Sequence, residues 1–376
     1  MIPLTVPHLA GNEWKYVKDC LDTGWISSVG SYVNDFEKRM AEFTGAKYAV
    51  ACMNGTAALH VCQRIMGVQQ GDYVIIPNIT FIATANAVSY TGAEPLMMDV
   101  DSDTWQMDLD LLEKFFIEET KMMDGKCVVK KNNRRIGCIM PVHVLGNMCN
   151  MERLMKLANE RNIPVIEDST ESLGSSFKGK QTGTFGQMGC FSFNGNKIIS
   201  TGGGGMIVTD DEALAKKAKH LTTQAKIHPE EYIHDEIAYN YRLVNILAAV
   251  GVAQMEQLPA FLKKKKYISD FYKKYLNGIG DIQFQKVEND IKVNDWLFTI
   301  KTSKSKEIFE NLKKADIISR PFWMPMNQLQ MFQSFWYYNE NDKSNAVYHN
   351  CLSIPCSTGI SDDDLALVVK KIKECF

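Results

Sequence analysis

Long apolar runs are missing from this 376-residue sequence. None approaches the ~18 apolar residues that a membrane-crossing helix needs, so a spanning protein is not expected. An excess of one charge is missing too. The 42 Lys and Arg against 44 Asp and Glu leave a formal net charge of −2, which sets up no field for nucleic acid or an anionic membrane. The opening stretch MIPLTVPHLAGNEW has neither the basic nor the apolar region of a signal peptide. No Cys-X-X-Cys pair occurs. The ten cysteines are scattered, mostly among apolar neighbours, a usage that reads as reduced buried thiols in the cytoplasm without a disulfide frame or zinc site. Internal repeats and low-complexity linkers are absent. What remains, 45% hydrophobic and 23% charged residues over this length, describes a soluble globular protein of about two domains.

Short apolar runs alternate with helical periodicity over the first 250 or so residues. Helices are predicted over 12–22 and 32–43, separated by the polar loop TGWISSVGS (23–31). Strands are predicted at KYAVACM (47–53), DYVIIP (72–77), EPLMMDVD (94–101), IGCIMPVHV (136–144) and IPVIEDST (163–170), most of them followed by a helical pattern. This is the signature of βαβ units and an α/β fold with a mainly parallel sheet. Such sheets bind ligands beyond the carboxyl ends of their strands. Asn54-Gly55-Thr56, His143 and Asp168 all fall at those ends, so a shared pocket is expected. The polar segment 122–135 reads as a solvated excursion, and the four lysines 263–266 read as a solvated helix face. From about residue 260 the pattern changes to a helix (260–277), a strand (296–300), a helix (306–317), an aromatic-rich loop (319–328) and a last helix (361–376). The expected division is a large domain, 1–255, and a smaller C-terminal α+β domain, 256–376.

The stretch QMGCFSFNGNKIISTGGGGM (187–206) places Lys197 after a polar turn and before Gly202–Gly205. By itself such a lysine is either a solvated loop charge or an amine offered to a cofactor or phosphate. The turn at 54–56 is either a plain Thr cap or an anion site at a helix N-terminus. In one sheet, however, the pieces fit a single need. A phosphate would sit at the helix starting at Thr56 with the Ser192 hydroxyl, an amine at Lys197 would form an imine with an aldehyde, and Asp168 would keep a ring nitrogen protonated. Those are the parts of a pyridoxal 5'-phosphate (PLP) site. A phosphate-loop nucleotidase does not fit, because Lys197 precedes Gly202 where that motif puts its lysine after the last glycine.

The segments TGWISSVG (23–30), NGTAAL (54–59), PNITFIATANAV (77–88), EDSTESLG (167–174), FSFNGNKIISTGGGGM (191–206) and NYRLVNILAAVGVAQ (240–254) stand in an order that resembles the DegT/DnrJ/EryC1 family of sugar aminotransferases. The resemblance implies a PLP-dependent transferase of fold type I, like aspartate aminotransferase. It implies that Lys197 is the Schiff-base lysine and proton carrier, and that Asp168 is the partner of the pyridine nitrogen. Gly55, Thr56 and Ser192 match phosphate-binding positions, and Phe81 matches the aromatic over the ring. Glu171 and Asn194 are near-cofactor positions at which this chain departs from the Gln or His and the His-Pro usual in the family. Asn240 matches an asparagine that reaches the phosphate from a second subunit, which implies a homodimer with shared active sites.

FNGNK, TGGGG and RPFWMPM (320–326) are similar to the branch that aminates UDP-linked 2-acetamido-4-keto-6-deoxy sugars, except at Asn327. The implied reaction moves the amino group of L-glutamate to C4 of such a nucleotide sugar for surface glycan synthesis. Trp25, Ser27, Ser28, His143 and Arg320 are candidates to contact that substrate. Alternatives are a GDP-linked 4-keto or dTDP-linked 3-keto sugar, or a non-catalytic regulatory member of the fold. A sugar 3-dehydratase is disfavoured, since those relatives carry histidine at the position of Lys197.

Overall fold

The computed structural model describes residues 1–228 and 230–376. Two helices, α1 (Glu13–Thr23) and α2 (Ser31–Thr44), precede the sheet. Its strands are β1 (Tyr48–Cys52), β2 (Tyr73–Pro77), β3 (Glu94–Met98), β4 (Ile136–Ile139), β5 (Ile166–Asp168), β6 (Met188–Ser192) and β7 (Gly205–Thr209). Among the described residues their order is β1-β7-β6-β5 and β4-β2-β3. The two halves join through the parallel bridges Ile139↔Val165 and Val142↔Asp168. β7 alone runs against its neighbours. The expected α/β architecture with a mainly parallel sheet is therefore present.

Helices α3 (Gly55–Ile65) and α4 (Ala83–Tyr90) follow β1 and β2, and α5 (Leu109–Glu119), α6 (Met151–Asn159) and α7 (Glu212–Thr222) continue the alternation. The sheet's core forms because α3 presents Ala58, Leu59, Val61 and Cys62 to Val50, Ile76, Ile166, Cys190 and Ile207. Apart from β5, which carries Glu167 and Asp168, the strands are mostly apolar runs, as burial on both faces requires. The ten cysteines are all free thiols, and only Cys149 is not fully buried.

Three expectations need correction. The 122–135 segment holds a hairpin, Thr120–Met123 against Lys126–Val129, with Cys127, Val128 and Val129 buried. Its turn is Asp124-Gly125 with φ of 51° and 74°, the left-handed pair that an Asp-Gly two-residue loop favours. The helix expected over 260–277 is the second half of a longer one, α8 (Asn245–Leu276), with Pro259 inside it. It runs through the boundary expected at 255/256. Packing of its buried stripe outweighs the local cost of the proline.

The third correction concerns the lysine run. Lys265 shares that stripe with Phe261, Ile268 and Tyr272 and is only 2% exposed. Its Nζ donates to the carbonyls of Trp296 and Cys356, each at 2.7 Å. Lys265→Met keeps the stem and removes the donors, leaving the Cys356 carbonyl unpaired and the Trp296 carbonyl with only the weak Cys356 thiol donor at 3.6 Å. Urea unfolding should show a loss of about 2–4 kcal/mol, against less than about 0.5 kcal/mol for Lys263→Met on the exposed side. Equal losses would mean that the amine contributes nothing beyond its stem.

The C-terminal region has a small antiparallel sheet. β8 (Phe298–Lys301) pairs with β11 (Cys351–Ile354), and β9 (Arg320–Pro321) lies at the edge beside β11. The region is not separate from the rest. β10 (Tyr337–Tyr338) adds to β3 of the large sheet, and the Cys356 N–H donates to Leu4 O at 2.8 Å. Among the described residues no helix is long and apolar enough to cross a membrane.

Candidate active site

The carboxyl ends of β1, β2, β5 and β6 and the entrance to β7 open on one cavity of about 360 Å³. At β1 the chain turns through Asn54, whose side chain accepts the Ala57 N–H at 2.7 Å and caps α3. The cap is thus Asn54, and Thr56 lies inside the first turn. First-turn N–H groups have no partner within a helix, and the dipole makes that end positive; here Gly55 and Thr56 line the cavity. A Cβ on Gly55 would stand 3.0 Å from both Ser192 Cβ and Thr170 Cγ2, so the glycine keeps open the notch between helix and β6. Gly205 makes room on the other side of the turn, where a Cβ would meet Asn54 O at 2.4 Å. The glycine run therefore lets β7 pass against the turn, and Gly203 and Gly204 line the cavity beside Lys197.

Strand periodicity separates the two acids of β5. Asp168 faces the cavity. Its Oδ2 accepts from Thr84 Oγ1 at 2.7 Å, and its Oδ1 accepts from the Thr170 hydroxyl at 2.7 Å and N–H at 3.2 Å. A carboxylate offers about four acceptor positions, so one remains for a further donor. Glu167 points to the opposite side, where it accepts from Gly183 N and from Gly186 N. His143 goes with it. The imidazole is fully buried, 2.9 Å from Glu167 Oε2, and does not line the cavity. The residue does stand at a strand end, as expected, but its side chain takes the other face.

Lys197 Nζ lies 3.9 Å from Glu171 Oε1 and 3.9 Å from the centre of the Trp296 ring. Burial lowers its pKa, against the pull of the Glu171 and Asp168 carboxylates. A largely buried amine of this kind, still open to the cavity, is a better nucleophile and base near neutral pH. Burial pushes Glu171 up to about 7, against Lys197 and the Leu145 N–H, which hold it down, with Asp168 pushing it further up. The Leu145 N–H donates to Oε2 at 2.8 Å.

A carboxyl whose folded pKa exceeds its unfolded value binds an extra proton in the folded state. Its contribution is therefore lost as pH rises from about 4.5 through about 7. Glu171→Gln should remove that loss. In PLP-free protein its stability advantage over the wild type should grow by about 3 kcal/mol between pH 4.5 and pH 8, read by urea unfolding at a series of pH values. A pH-independent difference would contradict it.

The cavity thus brings together Gly55, Thr56, Phe81, Asp168, Glu171, Ser192, Asn194, Lys197 and Arg320. It does not include Trp25, Ser27, Ser28 or Asn240. The loop carrying Trp25 to Ser28 is fastened to the start of α8, with Asn245 Nδ2 donating to Trp25 O and Asn245 N to Ser27 O. The Trp25 ring is 57% exposed, and Asn240 is exposed as well. Asn327 also faces away, exchanging hydrogen bonds with the buried Asn78. Among the cavity residues beyond those expected from the sequence are Thr84, Thr170, Trp296 and Trp323. Thr170, two residues after Asp168, is recognisable as a local turn; the others arrive from distant parts of the chain.

An anion site at a helix start, a buried carboxyl with one free acceptor position and a buried amine suit PLP. Comparisons with known proteins agree. The DegT/DnrJ/EryC1/StrS aminotransferase family pattern matches residues 7–373. The chain is 37% identical to a GDP-perosamine synthase of Escherichia coli O157:H7, covering 100% of this chain and 98% of that protein. It is 29% identical to the UDP-4-amino-4,6-dideoxy-N-acetyl-beta-L-altrosamine transaminase of Campylobacter jejuni subsp. jejuni, over 96% of this chain and 95% of that one. Spr1654 of Streptococcus pneumoniae, assigned as a sugar aminotransferase and solved in a PLP form, superposes with a TM-score of 0.88 at 26% identity, covering 100% of this chain and 98% of that one.

Proposed function

The chain belongs to the DegT/DnrJ/EryC1/StrS aminotransferase family, and from that premise we propose that it moves the amino group of L-glutamate to C4 of a 4-keto-6-deoxy sugar carried on a nucleoside diphosphate. It is a PLP-dependent sugar aminotransferase. The observation that carries the reading is the convergence of Lys197, Asp168 and the first turn of α3 on one cavity. The N–H groups of Gly55 and Thr56 and the Ser192 hydroxyl hold the cofactor phosphate. Asp168, oriented by Thr84 and Thr170, keeps the ring nitrogen protonated. When bound, PLP supplies an aldehyde for the amine and an electron sink for the carbanion. Lys197 Nζ would take the proton from Cα of glutamate and, in the second half-reaction, give a proton to the sugar carbon that receives the amine. Arg320, at the rim on the edge strand β9, meets the charged part of the substrate.

GDP is the preferred carrier. The relative named for a GDP sugar is 37% identical, against 29% for the one named for a UDP sugar. The UDP-linked substrate expected from the FNGNK and TGGGG wording is the second reading, favoured by that relative. A homodimer accounts for Asn240 and the Trp25–Ser28 loop, which lie outside their own subunit's cavity and would complete a partner's. Soluble, cytoplasmic operation fits the same reading. The test is a single turnover of the amino-loaded enzyme with GDP-linked and UDP-linked 4-keto-6-deoxy sugars, with the product weighed by mass spectrometry. The GDP sugar should react at least roughly tenfold faster, a difference of about 1.4 kcal/mol. Reaction with neither would reject the substrate class.

A further inference from the structure

We propose that Trp296 is a positioning residue for the Lys197 amine, holding it on the indole face beside Glu171 whenever it is not bonded to the cofactor. The proposal rests on the reading of Lys197 as the imine-forming lysine. The indole makes two contacts with the catalytic loop. Its face lies 3.9 Å, centre to atom, from Lys197 Nζ, and its Nε1–H donates to the carbonyl of Asn196, the residue before the lysine, at 2.7 Å. Face and donor together fix both the amine and the backbone that carries it.

Trp296 is itself held on three sides and is only 2% exposed. Its backbone N–H donates to Asn294 Oδ1 at 3.0 Å. Asn294 Nδ2 in turn donates to the carbonyls of Glu171 at 2.8 Å and Leu173 at 3.0 Å, so the turn carrying Glu171 and the residue under Lys197 share one bracket. Asp295 between them adopts φ of 52°, a left-handed conformation that non-glycine residues hold only where surrounding structure enforces it. The Trp296 carbonyl receives the Lys265 ammonium. Gly146 lies against the bracket, since a Cβ there would come within 1.9 Å of Asn294 Oδ1. Trp323, which also lines the cavity, stacks on the indole at 6.4 Å and 20°.

A ring face attracts the charged amine through its quadrupole and leaves the neutral amine nearly indifferent. The other charged groups around Nζ are Glu171 at 3.9 Å, Asp168 and, across the cavity, Arg320. Removing the ring therefore makes the ammonium less favourable and moves its titration to lower pH. Removing only the Nε1–H leaves the titration in place and loosens the loop.

The experiment measures the rate of covalent PLP attachment to PLP-free protein at saturating PLP across a pH series. The product is trapped with borohydride and the modified residue mapped by mass spectrometry. Trp296→Leu should move the midpoint of the rate profile down by roughly half a pH unit and lower the plateau about tenfold. Trp296→Phe, which keeps a face and loses the donor, should hold the midpoint within about 0.2 unit and lose roughly threefold in plateau. A purely packing role would change neither midpoint. Wild-type midpoint and plateau in both variants, with the label on Lys197, overturns the proposal and leaves the reading of Lys197 intact. A label found elsewhere overturns that reading and the proposal with it. Should Trp296→Leu fail to accumulate, Trp296→Met takes its place as the variant without a ring face: a midpoint within about 0.2 unit of wild type overturns the proposal, and a shift to lower pH supports it.

Discussion

Lys197→Ala should fold, should still bind PLP through the first turn of α3, and should lose amino transfer by roughly 10⁴-fold. The reasoning follows from what the substitution leaves. Gly55, Thr56, Ser192 and Asp168 do not depend on the lysine for their positions, since the turn and the carboxylate are held through Asn54, Thr84 and Thr170. The phosphate and ring contacts therefore persist. What disappears is the only amine among the described residues lining the cavity, and with it both the covalent attachment and the base at glutamate Cα. Borohydride reduction should leave the variant unmodified where the wild type gains one pyridoxyl group, and the single-turnover rate should fall as stated. A variant that kept more than about 1% of the wild-type rate would move the proton-transfer role to another group.

Asp168→Asn carries the second-largest effect, a loss of about 10²–10³-fold in turnover with PLP binding retained. The amide matches the carboxylate in shape; its one oxygen can keep the Thr170 donors, while its NH2 takes the Oδ2 place and donates to the Thr84 hydroxyl. It removes the negative charge, though, and can place an N–H where the ring nitrogen needs an acceptor. Without a protonated ring nitrogen the ring withdraws electrons poorly, so removal of the Cα proton slows while affinity for the phosphate is nearly unchanged. The check is a kcat collapse at a PLP dissociation constant within a few-fold of wild type. Equal losses in both would instead mark Asp168 as a binding group.

Period-two alternation and strand-end position are enough to read the sheet and the placing of Asp168, Ser192 and the 54–56 turn, because these are local consequences of strand and turn geometry. Alternation does not say which face of β5 is the cavity side, and so it misplaces His143, which follows Glu167 to the other face. Lys265 is illegible in the sequence because a run of like residues hides phase. Its position is set by Phe261 and Ile268 on α8, and its partners Trp296 and Cys356 lie far along the chain. Trp296 escapes a sequence reading for the same reason, since nothing near residue 296 refers to Lys197. The Asp124-Gly125 hairpin is in plain sight, but the basic residues after it favour the reading of a solvated loop.

Helix α8 has a mechanical consequence. A 32-residue helix that belongs to both regions acts as a spine, and it is joined by the Lys265 pair of hydrogen bonds, by β10 on the large sheet and by the Leu4 contact. Tied at these separate places, one half has no free stretch about which to swing against the other. The protein should work as a rigid mould, not as a jaw. Its radius of gyration by small-angle X-ray scattering should stay within about 0.5 Å on saturation with PLP and L-glutamate, where hinge closure of a domain pair would contract it visibly. Selectivity among sugars would then reside in the fixed outline of the rim around Arg320 and Trp323, and changing it would be a matter of recutting that outline.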